Sequence, residues 1–152
     1  MTTNMTNDRF KKGPLQGVRI IDLTTVVLGP YATRILGDLG ADVVKVETLA
    51  GDQTRHYKPL KHDGMAGYFV NLNRNKRSIS LDLKTPQGMA ILQRLLGSAN
   101  AFIHNMRQQA ADRLGLGYER VRALNPDIVY CAAVGFGSAG PYSGRAAYDD
   151  VV

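Results

Sequence analysis

The chain has 152 residues, 44% of them hydrophobic, and a net charge of +6. That length suffices for one domain with a real core, and no run approaches the roughly 20 apolar residues of a membrane span. The polar start, Met1 to Arg9, has no apolar stretch of the kind a secretory leader carries, and a single cysteine excludes an internal disulfide and fits a reducing, cytoplasmic setting.

Residues 1–14 read as a frayed N-terminal tail. Gly17-Val-Arg-Ile-Ile-Asp-Leu23 is short, apolar and rich in β-branched residues, as a buried strand is. Gly29-Pro30 follows, and proline suits the first turn of a helix. Tyr31, Ile35, Leu36 and Leu39 recur at helical spacing, and Gly40 is a suitable stop. Asp42 to Glu47 reads as a second strand. A strand, a helix and a strand in about 30 residues make a βαβ unit with parallel strands and a right-handed crossover.

Gly51 to Gly67 is polar and irregular, hence a long surface loop. Ser78 to Asp82 alternates like a short strand. Thr85 and Pro86 open a helix as N-cap and first residue, with Met89, Leu92 and Leu96 on its inner face. Ala101 to Ile103 is expected to be a strand. Ala110 to Leu116 and Tyr118 to Leu124 are expected to be short helices, the second ended by Asn125-Pro126. Ile128 to Val134 is a further strand, and Cys131 within it reads as a buried packing residue. Alternation of strands and helices predicts a doubly wound parallel sheet. In such sheets ligands bind beyond the carboxyl ends of the strands. Three segments lie there: Thr24 to Pro30, Glu47 to Arg55 and His104 to Arg107.

Charge is concentrated. Residues 55–84 hold seven basic residues (Arg55, Lys58, Lys61, Arg74, Lys76, Arg77, Lys84) against Asp63 and Asp82, a local excess of five. Such a segment suits a polyanion. No helix-turn-helix, zinc-finger or aromatic RNA-binding pattern accompanies it, so nucleic acid is not the expected partner. The loop Thr24-Thr-Val-Val-Leu-Gly-Pro30 is not Gly-x-Gly-x-x-Gly, which argues against a dinucleotide-dependent dehydrogenase. It is apolar and runs into a helix N-terminus, which suits a flat apolar group beside phosphate. His56 and His62 are not spaced with carboxylates as metal ligands, and no metal is expected.

In order along the chain stand Asp22-Leu-Thr, Gly29-Pro-Tyr, Leu36-Gly-Asp-Leu-Gly-Ala-Asp-Val-Val-Lys-Val-Glu47, Gly51-Asp-x-x-Arg55 and Asn73-Arg-Asn-Lys-Arg-Ser-Ile-Ser-Leu-Asp82. Asn105-Met-Arg107, Arg113-Leu-Gly115, Leu124-Asn-Pro126, Gly135-Phe-Gly137, Gly140-Pro-Tyr142 and Tyr148-Asp149 follow. This series resembles the family III CoA-transferases, the CaiB/BaiF family, from about residue 15 to Val152. The resemblance implies a Rossmann-like α/β fold, a parallel sheet with flanking helices, in which residues 15–152 are the N-terminal, CoA-binding and incomplete part of a large domain.

The resemblance also implies site residues for CoA or acyl-CoA. Val27 and Leu28 would line the adenine pocket, Leu81 and Lys84 would flank the nucleotide, and Asn105 and Arg113 would meet the phosphates or the pantetheine arm. Where some members carry arginine after the second strand this chain has Thr48, for which Arg55 would compensate. Tyr148 stands beside the site, where the sister α-methylacyl-CoA racemases carry an acid/base histidine, and so favours transfer over racemisation. His104 has two readings, a ligand contact or a neutral histidine satisfied at a strand end. The reaction implied is attack of an aspartate on an acyl-CoA thioester, then exchange with a carboxylic acid. The nucleophile is expected after Val152, with Asp149 only a weak stand-in, so the chain alone is expected to be inactive. The family's interlocked homodimer is the expected assembly. A racemase-like enzyme, a non-catalytic CoA-binding fragment, and nucleic-acid binding through residues 55–84 are the alternatives.

Overall fold

The structure, a computed structural model, describes residues 13–60, 62–137, 139–145 and 147. Five strands, β1 (Arg19–Leu23), β2 (Asp42–Glu47), β3 (Lys76–Ser80), β4 (Ala101–His104) and β5 (Val129–Ala132), form one sheet in the order β3-β2-β1-β4-β5. Every pairing is parallel. The helices are α1 (Leu28–Asp38), α2 (Gly67–Asn73), α3 (Pro86–Gly97), α4 (Gln108–Arg113) and α5 (Tyr118–Leu124). The expected doubly wound α/β fold is present. The expected tail over 1–14 lies outside the described residues as far as residue 12. Gly13 stands in a turn, its carbonyl accepting from Gln16, beside the end of α1.

Local chemistry explains the elements. Thr85 caps α3, its Oγ1 accepting from the Gly88 N–H at 3.1 Å, with Pro86 in first place as expected. Gly40 takes φ +100°, a conformation that glycine adopts at little cost, and ends α1. Some elements depart from expectation: α4 spans Gln108–Arg113 where 110–116 is expected, and β5 stops at Ala132, short of Val134. The loop expected over 51–67 contains a 3-10 turn, Gln53–His56, and is followed by α2, for which the sequence carries no clear signal. β3 starts at Lys76, two residues before the expected strand.

The two faces of the sheet differ. One packs Ile21, Leu23, Val44, Val46 and Phe102 against Leu92 and Leu96 of α3 and Val121 of α5, a continuous apolar core. The other is apolar only at its amino end, where Ile20, Ala41 and Val43 meet Leu36 of α1. Towards the carboxyl ends it carries Asp22, Lys45 and Glu47, and Lys76 reaches them from the start of β3, level with Val43; these charged groups are buried beneath α1 and α2. α1 meets this polar surface with small residues, Gly29, Pro30, Thr33 and Gly37, and leaves Tyr31, Ile35 and Leu39 exposed.

Cys131 is exposed, contrary to the expectation of a packing residue. β5 has a neighbour on one side only among the described residues. Val129 and Cys131 project to the face that α1 covers over β1 and β2 but not over β5, and Val129 is 66% exposed. No helix among the described residues is long and apolar enough to cross a membrane.

Candidate functional site

The chain order of the strands reverses between β1 and β4: β2 and β3 extend the sheet on one side, β4 and β5 on the other. Loops leaving the carboxyl ends of two such strands diverge, and a crevice opens between them. Thr24 to Val27 follow β1, and Asn105 to Arg107 follow β4. Asn105 bridges the two segments at their base. Its Oδ1 accepts from the Thr25 N–H at 3.1 Å and its Nδ2 donates to the Thr25 carbonyl at 2.9 Å. Val27 precedes the first turn of α1 and its carbonyl accepts from the Tyr31 N–H. Leu28, the first residue of that helix, is 62% exposed at the mouth.

Beneath the loop lies a closed set of buried charges. Asp22 accepts from the Thr24 N–H at 2.9 Å, from Thr33 Oγ1 at 2.6 Å and from Lys76 Nζ at 3.0 Å, and also from Thr24 Oγ1. Lys76 also donates to Pro30 and Asn73. Lys45 Nζ donates to the Thr24 carbonyl at 2.8 Å and to Asp52 at 3.0 Å, and Asp52 caps the 3-10 turn through Thr54. Buried charges persist only when paired and hydrogen-bonded in this way. Burial opposes ionisation of Asp22, but Lys76, Lys45 and the two threonine hydroxyls outweigh it and hold its pKa below the usual carboxylate value. Burial likewise pushes Lys76 down to about 8, against the pull of Asp22. The aspartate has the greater number of favourable partners, and the pair is ionised at neutral pH.

Gly29 lets this layer close. A Cβ there would stand 2.3 Å from Cβ and Cγ2 of Thr24. Gly29→Ala is expected to cost about 1–3 kcal/mol, the usual penalty of overpacking, read as a lower denaturant midpoint. An unchanged midpoint would mean that Thr24 yields.

Expected site residues fall in four places. Val27 and Leu28 stand where the loop after β1 enters α1, and Asn105, after β4, is hydrogen-bonded to Thr25 of that loop. Leu81 and Lys84 follow β3, two strands or about 10 Å from β1 along the same edge. The Leu81 side chain is in the apolar core and its N–H donates to Glu47, while Lys84 is exposed. Arg113 ends α4, exposed, its Nε on the Gln109 carbonyl. Arg55 is tied down: it forms a two-pronged pair with Glu47 at 2.7 and 2.8 Å, donates to Gly64 and stacks on Phe69 at 3.8 Å. Tyr148 and Asp149 lie outside the described residues.

His104 has the second of its two readings. It is fully buried, Nδ1 accepts from the Met106 N–H and Nε2 lies 2.6 Å from the Tyr130 hydroxyl, which donates to Leu116. This arrangement fits the neutral tautomer protonated on Nε2, and burial holds the pKa below its ordinary value. The buried set of Asp22, Lys45, Asp52 and Lys76 was not singled out from sequence. Its signal was a charge inside each of two apolar strand runs, Ile-Ile-Asp-Leu and Val-Val-Lys-Val. In a parallel sheet covered on both faces, such charges must find partners.

Known proteins give this arrangement its context. The family model for CoA-transferase family III matches residues 15–152. A succinate–glutarate CoA-transferase of Agrobacterium fabrum is 44% identical over 97% of this chain and 39% of its own length. A succinyl-CoA:glutarate CoA-transferase of Mus musculus is 45% identical over 91% of this chain and 32% of its own length. The chain thus spans about two fifths or less of the length of these relatives. A crystal structure of a CaiB/BaiF family protein from Brucella suis superposes with a TM-score of 0.87 at 41% identity, covering 91% of this chain and 38% of that one. By sequence and by fold, the chain belongs to family III of the CoA-transferases.

Proposed function

We propose that this chain is the CoA-binding part of an enzyme that moves CoA between an acyl-CoA thioester and a carboxylic acid. The observation that carries the reading is the β1–β4 reversal, where Asn105 after β4 is hydrogen-bonded to Thr25 in the loop that leads to Val27 and Leu28. The relatives named as succinate–glutarate and formyl-CoA:oxalate transferases support this reaction class, with dicarboxylates as acceptors. An extended ligand entering at Val27 and Leu28 is proposed to meet its phosphates with Lys84 and Arg113, both exposed. Leu81 backs the carboxyl edge of the sheet from the core. Arg55 serves by holding the loop after β2 on Glu47.

The nucleophile is proposed to be an aspartate other than the described ones. Its carboxylate oxygen attacks the thioester carbon, the C–S bond breaks and CoA leaves as the thiolate, giving an acyl-aspartyl anhydride. The thiolate then attacks the aspartyl carbonyl and releases the donor acid, and the reverse sequence loads the acceptor. Asp22 and Asp52, the carboxylates beneath the mouth, are buried and fully paired, so neither is free to attack. The chain by itself is therefore proposed to bind CoA without turning it over. No metal takes part in this chemistry. Exposed Tyr31 and Ile35 on α1, Leu39 just after it and Val129 on β5 support a second copy as cover, in the homodimer of a cytoplasmic enzyme. Calorimetric titration of the folded chain with CoA is expected to show saturable binding, with no transfer from succinyl-CoA to glutarate. Absence of saturation overturns the reading.

A further inference from the structure

Val26 has φ +71°. A β-branched residue rarely occupies the left-handed region, where its Cβ crowds the following carbonyl. The residues around it explain why it does. Thr24 is fixed at both backbone groups, its N–H on Asp22 and its carbonyl on Lys45. Thr25 is likewise fixed at both, by the carboxamide of Asn105 from across the crevice. Val27 is held by the start of α1. The chain has one residue in which to turn from the direction of β1 into the helix, and that residue is Val26.

We infer that Asn105 is a positioning residue: its carboxamide clamps Thr25 and thereby holds Val26 in a strained turn that presents Val27 and Leu28 to the ligand. The strain is met during folding, so binding does not have to supply it. Asn105 thus acts through the loop after β1 rather than through a contact of its own. This inference rests on the CoA reading for its ligand, but the clamp itself can be tested without one.

Asn105→Ala frees Thr25 and lets Val26 relax to an extended conformation. Release of strain offsets the two lost hydrogen bonds, so the melting temperature is expected to change little. Affinity for CoA is expected to fall about 5- to 30-fold, which is the about 1–2 kcal/mol of a left-handed residue at 1.4 kcal/mol per tenfold. Adding Val26→Gly restores most of the affinity, because glycine takes the turn without strain. A residue of purely structural importance would lose stability first and gain nothing from the glycine. Backbone chemical shifts and couplings of Val26 are expected to report positive φ in the wild-type chain and negative φ in Asn105→Ala. Wild-type affinity in Asn105→Ala, no rescue by Val26→Gly, or positive φ retained without Asn105 each overturns the inference. If the wild-type chain shows no saturable CoA binding, the CoA reading fails, and the φ of Val26 in Asn105→Ala still decides the clamp.

Discussion

Asp22→Ala is expected to destabilise the chain by about 3–5 kcal/mol, the cost of removing one partner from a buried ion pair. The substitution leaves the charge of Lys76, whose side chain is 1% exposed, without its carboxylate and removes the acceptor for the Thr24 N–H and hydroxyl. For a protein with an ordinary margin of about 5–15 kcal/mol that is a large fraction of the whole. Asp22→Asn keeps the shape and an acceptor but not the charge, and is expected to fall between. Combining Asp22→Ala with Lys76→Met removes both charges and is expected to recover part of the loss, since an apolar pair of similar volume needs no partner. Urea denaturation of the four proteins is the measurement. Equal midpoints for wild type and Asp22→Ala would show that water reaches Lys76 and that the layer under α1 is not closed.

The second large effect is acid sensitivity at Glu47. Burial raises its pKa, but the Arg55 guanidinium, Ser78 and the Asp52 N–H prevail and hold it at about 2, against an ordinary 4.5. The unfolded chain therefore takes up the proton first as pH falls. The stabilisation is fully present above pH 4.5 and is lost as pH drops from there through about 2. At 1.36 kcal/mol per pH unit this linkage amounts to about 3 kcal/mol. Glu47→Gln is expected to be less stable at neutral pH and to have a flatter acid limb. Denaturant midpoints taken across that window decide it, and parallel acid limbs in the two proteins would rule it out. His104, buried and neutral, adds its own loss as pH falls below its ordinary 6.5, where the unfolded chain binds the proton more readily. The two contributions are separated by their windows.

Much of the fold could be read because local signals agreed with it. β2 matches its expected bounds to the residue, since Val43, Val44 and Val46 sit between a glycine stop and a polar loop. α3 is announced by Thr85-Pro86 and its Leu92 and Leu96 are buried as expected. α1 is less simply read. Its apolar residues have helical spacing, yet the helix turns small residues to the sheet, because what lies beneath is a layer of charges rather than apolar core. That layer depends on pairs such as Asp22 and Lys76, 54 positions apart, and no local pattern links them. The basic segment is a related case. Arg55, Arg74, Lys76 and Arg77 all find carboxylates, and those carboxylates (Glu47, Asp38, Asp22 and Asp42) come from outside residues 55–84. A charge tally over a window of sequence overstates what the folded surface offers a polyanion. The resemblance assigns Asn105 to a ligand, and in the structure its carboxamide is hydrogen-bonded to Thr25.

The position of β1 in the sheet has a consequence for synthesis. Its register partners on one side begin at Asp42, but on the other side Ile20 waits for Ala101. At roughly 5–20 residues per second, about 4–16 s separate the emergence of these two positions from the ribosome. Over that interval the edge of β1 that takes β4 stays open, while Asp52 is made to pair Lys45 and Lys76 to pair Asp22. Every partner of the buried charges is thus made before the last two strands, and what those strands complete is the apolar core on the opposite face of the sheet.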